Sequence, residues 1–448
     1  MKVLLVSANR VRTPYYVYPL GLDYVASAIS GRHQVKITDI NSREKARSII
    51  DTIRDFAPDV IGISIRNIDN VDAHDVKSFI TFYRELILAV REITGAVIVV
   101  GGSGFTIFPE RMMQALEPDY GIIGEGERMS VFLEALESGK DPSALSGVIA
   151  PGMKEAFPPP LELPFTRTVT PESVAEFYLS RGGMLNLQTK RGCTYNCIYC
   201  TYPHIEGAAL RLIPADEVAG TAVKLERAGA KYLFITDSVF NTSYEHSADV
   251  ARAFAAKGLT IPWGAFFAPT KPPENYYRVL HRAGLTHAEF GTEALAGSML
   301  ASYQKPFSVG DVFTAHAAAL DAGLYAAHYI LLGGPGENRH TVTETLDNAE
   351  RLDKTVIFFF CGIRIYPHTR IYEIARAEGQ IAETDDLLEP VFYQSGSISG
   401  EEIICMVEER GRKHENWFIG SGGNKAARLV SRLHKQGHSG PLWEHMIR

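Results

Sequence analysis

Three of the five cysteines in this 448-residue chain fall within eight positions, in the run Arg191-Gly-Cys193-Thr-Tyr-Asn-Cys197-Ile-Tyr-Cys200. The C-x3-C-x2-C spacing puts three thiolates on one short loop. Such a loop can hold three irons of a cubane iron–sulfur cluster and leave the fourth without a protein ligand, open to a substrate or cofactor. A zinc site would need a fourth donor, and His204 is the nearest candidate after Cys200. A disulfide would leave one thiol over. Cys361 and Cys405 stand too far away to join the loop and read as small buried hydrophobes.

Composition narrows the setting. The chain has 45 Lys and Arg against 52 Asp and Glu, a formal charge of −7, with 46% hydrophobic and 22% charged residues. That balance is globular and excludes wholesale disorder or a fibrous repeat. No apolar run approaches the ~18 residues of a spanning helix. The opening Met1-Lys-Val-Leu-Leu-Val reads as a strand without a charged-then-apolar leader, so a cytoplasmic, reducing location is expected. The acidic balance gives no nucleic-acid signal.

The elements that must position the cysteines alternate. Up to about residue 138, Val3–Val6, Gln34–Thr38, Val60–Ile65 and Ala96–Val100 read as short Val- and Ile-rich strands. The patterns at Leu20–Ser30, Ala46–Phe56 and Val76–Ile93 between them are helical. This alternation predicts a parallel, doubly wound α/β sheet, which binds ligands beyond the carboxyl ends of its strands. Ser64-Ile-Arg66-Asn67, Gly101-Gly102-Ser103-Gly104 and Gly124-Glu125-Gly126-Glu127 stand at such ends. Glycine there lets backbone amides approach a large ligand.

Residues 139–180 lose the periodicity and carry Pro158-Pro-Pro160, which predicts a linker. From 181 to 380, six strands are expected at Leu185–Gln188, Tyr232–Thr236, Gly264–Phe267, His287–Phe290, Tyr329–Leu332 and Val356–Ile365. Helices at Ala215–Ala228, Tyr244–Ala256, Pro273–Ala283 and Val309–Ala322 separate them, and such units fit a (β/α)6 partial TIM barrel. A small C-terminal region, 381–448, follows. From Arg410 onward it has eight Lys or Arg and two Glu, and Asn424–Lys435 reads as a basic helix. That helix is either an ordinary solvated face or one that attracts an anionic substrate or membrane surface.

The cysteine loop resembles the signature of radical S-adenosylmethionine (SAM) enzymes. Supporting motifs follow in order: Phe234-Ile-Thr-Asp237, Gly291-Thr-Glu293 with Lys305 beyond it, Leu332-Gly333-Gly334-Pro335-Gly336-Glu337, and Ile365-Tyr366-Pro367-His368. The resemblance implies a [4Fe-4S] cluster on Cys193, Cys197 and Cys200. It implies SAM contacts from Tyr199, Asp237, Glu293, Gly333, Gly334 and Pro335. The first domain resembles the cobalamin-binding module that precedes this barrel in the class B methyltransferases. The matching positions include Pro19, Leu20, Asp39, Ser64, Gly101–Gly104 and Gly124–Glu127. Other cobalamin modules carry D-x-H-x-x-G after the first strand. Here that loop is Ser7-Ala-Asn-Arg10-Val-Arg12-Thr-Pro14, and the near-match Asp72-Ala-His74 stands in another loop. Arg66 or Asn67 is therefore the expected neighbour of the lower cobalt face.

What the family implies is methylation of an unactivated carbon of a small-molecule or lipid-type substrate, with an electron donor such as flavodoxin or ferredoxin. Cyclisation, oxidation or rearrangement with the same cofactors is the alternative. A cobalamin-responsive regulatory protein would not need an open-coordination cluster. A tRNA methylthiotransferase would bring further cluster cysteines before the barrel, and positions 1–192 contain none.

Overall fold

A computed structural model describes residues 1–11, 16–41, 47–167, 174–420 and 423–447. The first sheet contains β1 (Lys2–Ser7), β2 (Gln34–Asp39), β3 (Val60–Ser64), β4 (Val97–Gly101), β5 (Tyr120–Ile122) and β6 (Val148–Ile149), ordered β2-β1-β3-β4-β5-β6. Strands β1 to β5 run parallel, and β6 returns antiparallel to β5. β1, β3 and β4 are almost wholly buried, as expected of parallel strands covered on both faces. The order reverses between β1 and β3, and there the loops splay apart to leave a crevice.

The second sheet is built from β7 (Met184–Leu187), β10 (Tyr232–Ile235), β11 (Trp263–Phe267), β12 (Leu285–Glu293), β13 (Tyr325–Leu332) and β14 (Thr355–Cys361) in chain order, all parallel. Two short ribbons flank it. β8 (Lys190–Arg191) pairs with β9 (Arg211–Leu212), and β15 (Ile363–Arg364) pairs with β16 (Phe392–Tyr393). These are the expected six strands of a partial barrel. Helices such as Ala215–Arg227, Tyr244–Ala256 and Val309–Asp321 cover the outside, the last closed by a Ser308–Asp311 capping box.

Three boundaries differ from expectation. The first sheet runs past residue 138, because β6 lies in the segment read as linker. The run Val356–Ile365 is two strands: the chain breaks at Gly362, whose φ of +100° suits glycine. The C-terminal region is not an appendage, since β17 (Trp417–Ile419) adds a seventh parallel strand beside β14. Its last turn, Trp443–Met446, packs with Val356 and Phe358 against the barrel's inner wall. Phe358-Phe-Phe360 obeys the two-residue period of a strand: Phe358 and Phe360 join that inner cluster, while Phe359 belongs to the main core. The basic helix forms at Gly423–Lys435.

Candidate functional site: the cysteine loop and the interdomain cleft

The cysteine loop leaves β8 through Gly192. A side chain there would meet the Ala209 carbonyl at 2.1 Å, and φ is +86°, so only glycine fits. The loop is pinned at several points. The Cys193 amide donates to the Gly207 carbonyl at 3.1 Å and the Ile198 amide to that of Tyr303 at 3.3 Å, while the Ile198 carbonyl accepts from the Ile371 amide at 2.8 Å. Cys193 is buried, Cys197 and Cys200 are half-buried, and none is in a disulfide. Burial raises the Cys197 thiol, opposed by Lys305, and pushes Cys200 up to about 12.

These thiols do not close on a single point. Among the described residues, no three His, Cys, Asp or Glu side chains meet as a site for one metal ion. Donors that each take a different iron of a cubane have no need to. His204 is not their fourth partner: it stacks on His368, with ring centroids 4.2 Å apart, beside Phe157 of the proline-rich segment. The donor set therefore fits a [4Fe-4S] cluster rather than zinc.

Around the loop stand the other expected SAM residues. A register irregularity in β12 between Gly291 and Glu293 puts Glu293 at φ +64°, a left-handed conformation of the kind concentrated at functional sites. Lys305 Nζ lies 3.6 Å from Glu293 and 3.2 Å from the Tyr199 hydroxyl. Burial works against the Lys305 ammonium, yet Glu293 and Cys197 hold its pKa above the ordinary value. The Gly333-Gly334-Pro335 turn rests on Tyr303: a side chain at Gly334 would meet that ring at 2.2 Å. Tyr303, which no spacing rule singled out, thereby joins this turn to the cysteine loop. Asp237 is a correction. Its carboxylate accepts from the Thr189 amide at 2.8 Å and hydroxyl at 2.5 Å and is buried, so it ties β10 to the end of β7 rather than facing a ligand.

The crevice of the first sheet opens into a cleft of about 1440 Å³, whose far wall is the barrel rim next to the cysteine loop. Ser64, Arg66, Gly101, Gly102 and Ser103 line one side, with Pro19, Leu20 and the Gly124–Glu127 turn; Gln188, Arg191, Tyr202 and Glu206 line the other. A side chain at Gly102 would strike the Ile65 carbonyl at 2.7 Å, and its φ is +99°. A glycine cradle this wide, with polar serine and arginine groups at its edge, suits a broad, amide-fringed ring system such as cobalamin.

Several expected contacts do not reach this cleft. Asp39 lies under the fold, accepting from the Tyr178 hydroxyl at 3.0 Å. Asn67 and Gly104 are absent from the lining, and Gly104 sits tight under the Arg66 carbonyl, leaving Arg66 as the candidate at the β3 end. The Glu125 and Glu127 carboxylates turn away to pair with Arg191, at 2.8 and 2.6 Å. The reason is electrostatic: a buried guanidinium needs counter-charge more than an open cleft does. In the β1 loop, Arg12–Pro14 lie outside the described residues; Asn9 lines the cleft.

Two further buried pairs cross between the domains, Asp23–Arg167 at 2.9 Å and Asp69–Arg364 at 3.0 Å. Sequence reasoning missed them because their partners are 144 and 295 residues apart.

Family comparison agrees with this geometry. Residues 6–133 match the B12-binding domain and residues 187–349 the radical SAM superfamily. The chain is a cobalamin-dependent radical SAM enzyme. Its relatives include tryptophan 2-C-methyltransferase of Streptomyces laurentii, 25% identical over 91% of this chain and 79% of that protein. Another is cytidylyl-2-hydroxyethylphosphonate methyltransferase of Streptomyces wedmorensis, 23% identical over 90% and 88%. In fold, this enzyme superposes on the radical SAM methyltransferase TsrM of Kitasatospora setae, solved with tryptophan and a SAM analogue, with a TM-score of 0.86 at 21% identity, covering 99% and 97% of the two chains. The [4Fe-4S] cluster, SAM and cobalamin are the cofactors of these two domains. Among the described residues, no helix is long and apolar enough to cross a membrane.

Proposed function

We propose that this radical SAM enzyme methylates an unactivated carbon of a small molecule, and that the reaction takes place at the cleft between its two domains. One observation carries the reading: the glycine cradle and the rim of the cysteine loop wall the same space. When bound, cobalamin carries a methyl group for transfer, and SAM at the cluster's open iron supplies methyl groups and reductively triggered radical chemistry.

This chain's own residues hold and shield that chemistry. Cys193, Cys197 and Cys200 hold the iron, and Lys305 sets the charge beside Cys197. Tyr199, Glu293 and the Gly333–Pro335 turn surround SAM. Gly101, Gly102 and Ser103 let a corrin edge approach the backbone, with Arg66 at the lower cobalt face. Burial of the loop keeps water from reactive species.

The named substrate of the Streptomyces laurentii relative makes tryptophan the first molecule to test, with lipid-type precursors the second class. The experiment is an anaerobic incubation of the reconstituted enzyme with methyl-labelled SAM, a reductant and tryptophan. Labelled product together with S-adenosylhomocysteine is expected. Deoxyadenosine without homocysteine would instead point to cyclisation, oxidation or rearrangement. A flavodoxin or ferredoxin is the proposed electron donor, in a cytoplasmic setting. The basic helix Gly423–Lys435 supplies the charge that contact with an anionic membrane would use, which co-sedimentation with phosphatidylserine vesicles tests.

A further inference from the structure

Arg191 stands two residues before Cys193, at the root of the cysteine loop, and is almost fully buried. Its two terminal nitrogens go to different carboxylates of the first domain's glycine turn: Nη1 donates to Glu125 at 2.8 Å and Nη2 to Glu127 at 2.6 Å. Its Nε donates to the Gln188 side chain at 3.2 Å. The Phe165 and Tyr24 rings stack near the guanidinium, 3.8 and 4.8 Å away, and exclude other partners.

Followed outward, these bonds close a ring. Gln188 donates to Glu206 at 3.2 Å, and the other Glu206 carboxylate oxygen accepts from the Gly192 amide at 3.1 Å. The Glu206 carbonyl accepts from Arg211 at 2.5 Å, and Arg211 returns to Glu125 at 2.7 Å. The circuit joins the amide immediately before the first cluster cysteine to the carboxylates of a turn that lines the cobalamin cleft. Arg191 and Glu206 themselves line that cleft.

We propose that Arg191 is a positioning residue that couples the two cofactor sites: cobalamin seated against the Gly124–Glu127 turn fixes the cysteine loop through this ring, and the assembled loop fixes the turn. The argument is geometric. A planar fork reaching two carboxylates on one turn transmits displacement of that turn with little slack, which a lysine point charge cannot do. The packed alternatives are few because every member is buried or half-buried. Linkage then makes the effect reciprocal.

The test compares cobalamin affinity, by visible-absorbance titration, in enzyme with its cluster intact and after iron chelation under anaerobic conditions. The wild type should bind cobalamin about 5- to 20-fold more tightly with the cluster present, within the range of ordinary site coupling. In Arg191→Lys that ratio should fall towards one, with Glu127→Gln intermediate and its fold retained. The electron paramagnetic resonance spectrum of the reduced cluster should shift on adding cobalamin to wild type and not to Arg191→Lys. A purely structural role would weaken binding equally in both forms and preserve the ratio. Either that result, or a wild-type ratio of one, overturns the proposal. If Arg191→Lys does not fold, the Glu127→Gln ratio decides alone, an unchanged ratio counting against coupling.

Discussion

The cysteine loop and the cobalamin cleft hold their cofactors by opposite means. The loop draws its three thiols from eight consecutive residues, with Gly192 and Ile198 fixing its path. The cleft is gathered from the ends of β1, β3, β4 and β5 and from the barrel rim, so none of its segments is a site alone. A site made from one segment fails in one step when a ligand is removed. A site shared among many loops weakens by degrees, because each backbone contact is a small part of the total.

The largest effect should therefore come from the loop. Replacing Cys197 by Ala removes an iron ligand that no other described cysteine can replace, the remaining pair lying outside the loop. Iron content should fall sharply and turnover should drop below detection, measured by iron and sulfide analysis with a product assay. A variant that kept a full cluster would break the comparison.

Next comes the strongest single element of the cleft. Gly102→Ala meets the Ile65 carbonyl at 2.7 Å and must hold a left-handed φ. About 1–3 kcal/mol of strain follows, or roughly 5- to 150-fold in cobalamin affinity if the loop relaxes away from the ligand. Spectral titration against cobalamin, with thermal melting beside it, measures both parts. Arg66→Ala should do less: its side chain is exposed in the cleft and one charged contact is worth about 1 kcal/mol there, so cobalamin affinity should fall about fivefold with a changed cobalt spectrum. Unchanged affinity and spectrum would remove Arg66 from the lower face.

The same contrast governs what could be read in advance. C-x3-C-x2-C and the glycine motifs are local, and the strands around them announced themselves through Val- and Ile-rich runs. The short strand β6 and the late strand β17 did not, because two or three residues carry no period and are strands only through their neighbours. Glu125 and Glu127 were placed in the right turn with the wrong partner. Their sequence position identifies the glycine turn, whereas the buried Arg191 opposite them is fixed only by how the domains dock. Asp237 failed likewise: a motif acid looked like a ligand residue until Thr189 was seen to occupy both of its oxygens. Asp39 was claimed by Tyr178 from the segment read as linker.

The seam between the two sites should also respond to pH, in the smallest of these effects. Burial, together with the neighbouring His368, lowers the pKa of His204 to about 4 from its ordinary value near 6.5; Glu155, 3.3 Å from His368, is the acid facing the pair. A histidine held neutral in the folded protein binds fewer protons than in the unfolded chain between those two values. Stability from this group is thus fully present above about pH 6.5 and declines as pH falls towards 4. His204→Gln keeps a polar side chain of similar reach without the titration, so its melting temperature should fall less steeply than that of wild type between pH 6.5 and 4.5. Because His204 is only partly buried, solvent screening keeps the difference modest. Parallel pH profiles would show that the stacked pair is solvated like any surface histidine, and that the seam draws its stability from the arginine–carboxylate pairs alone.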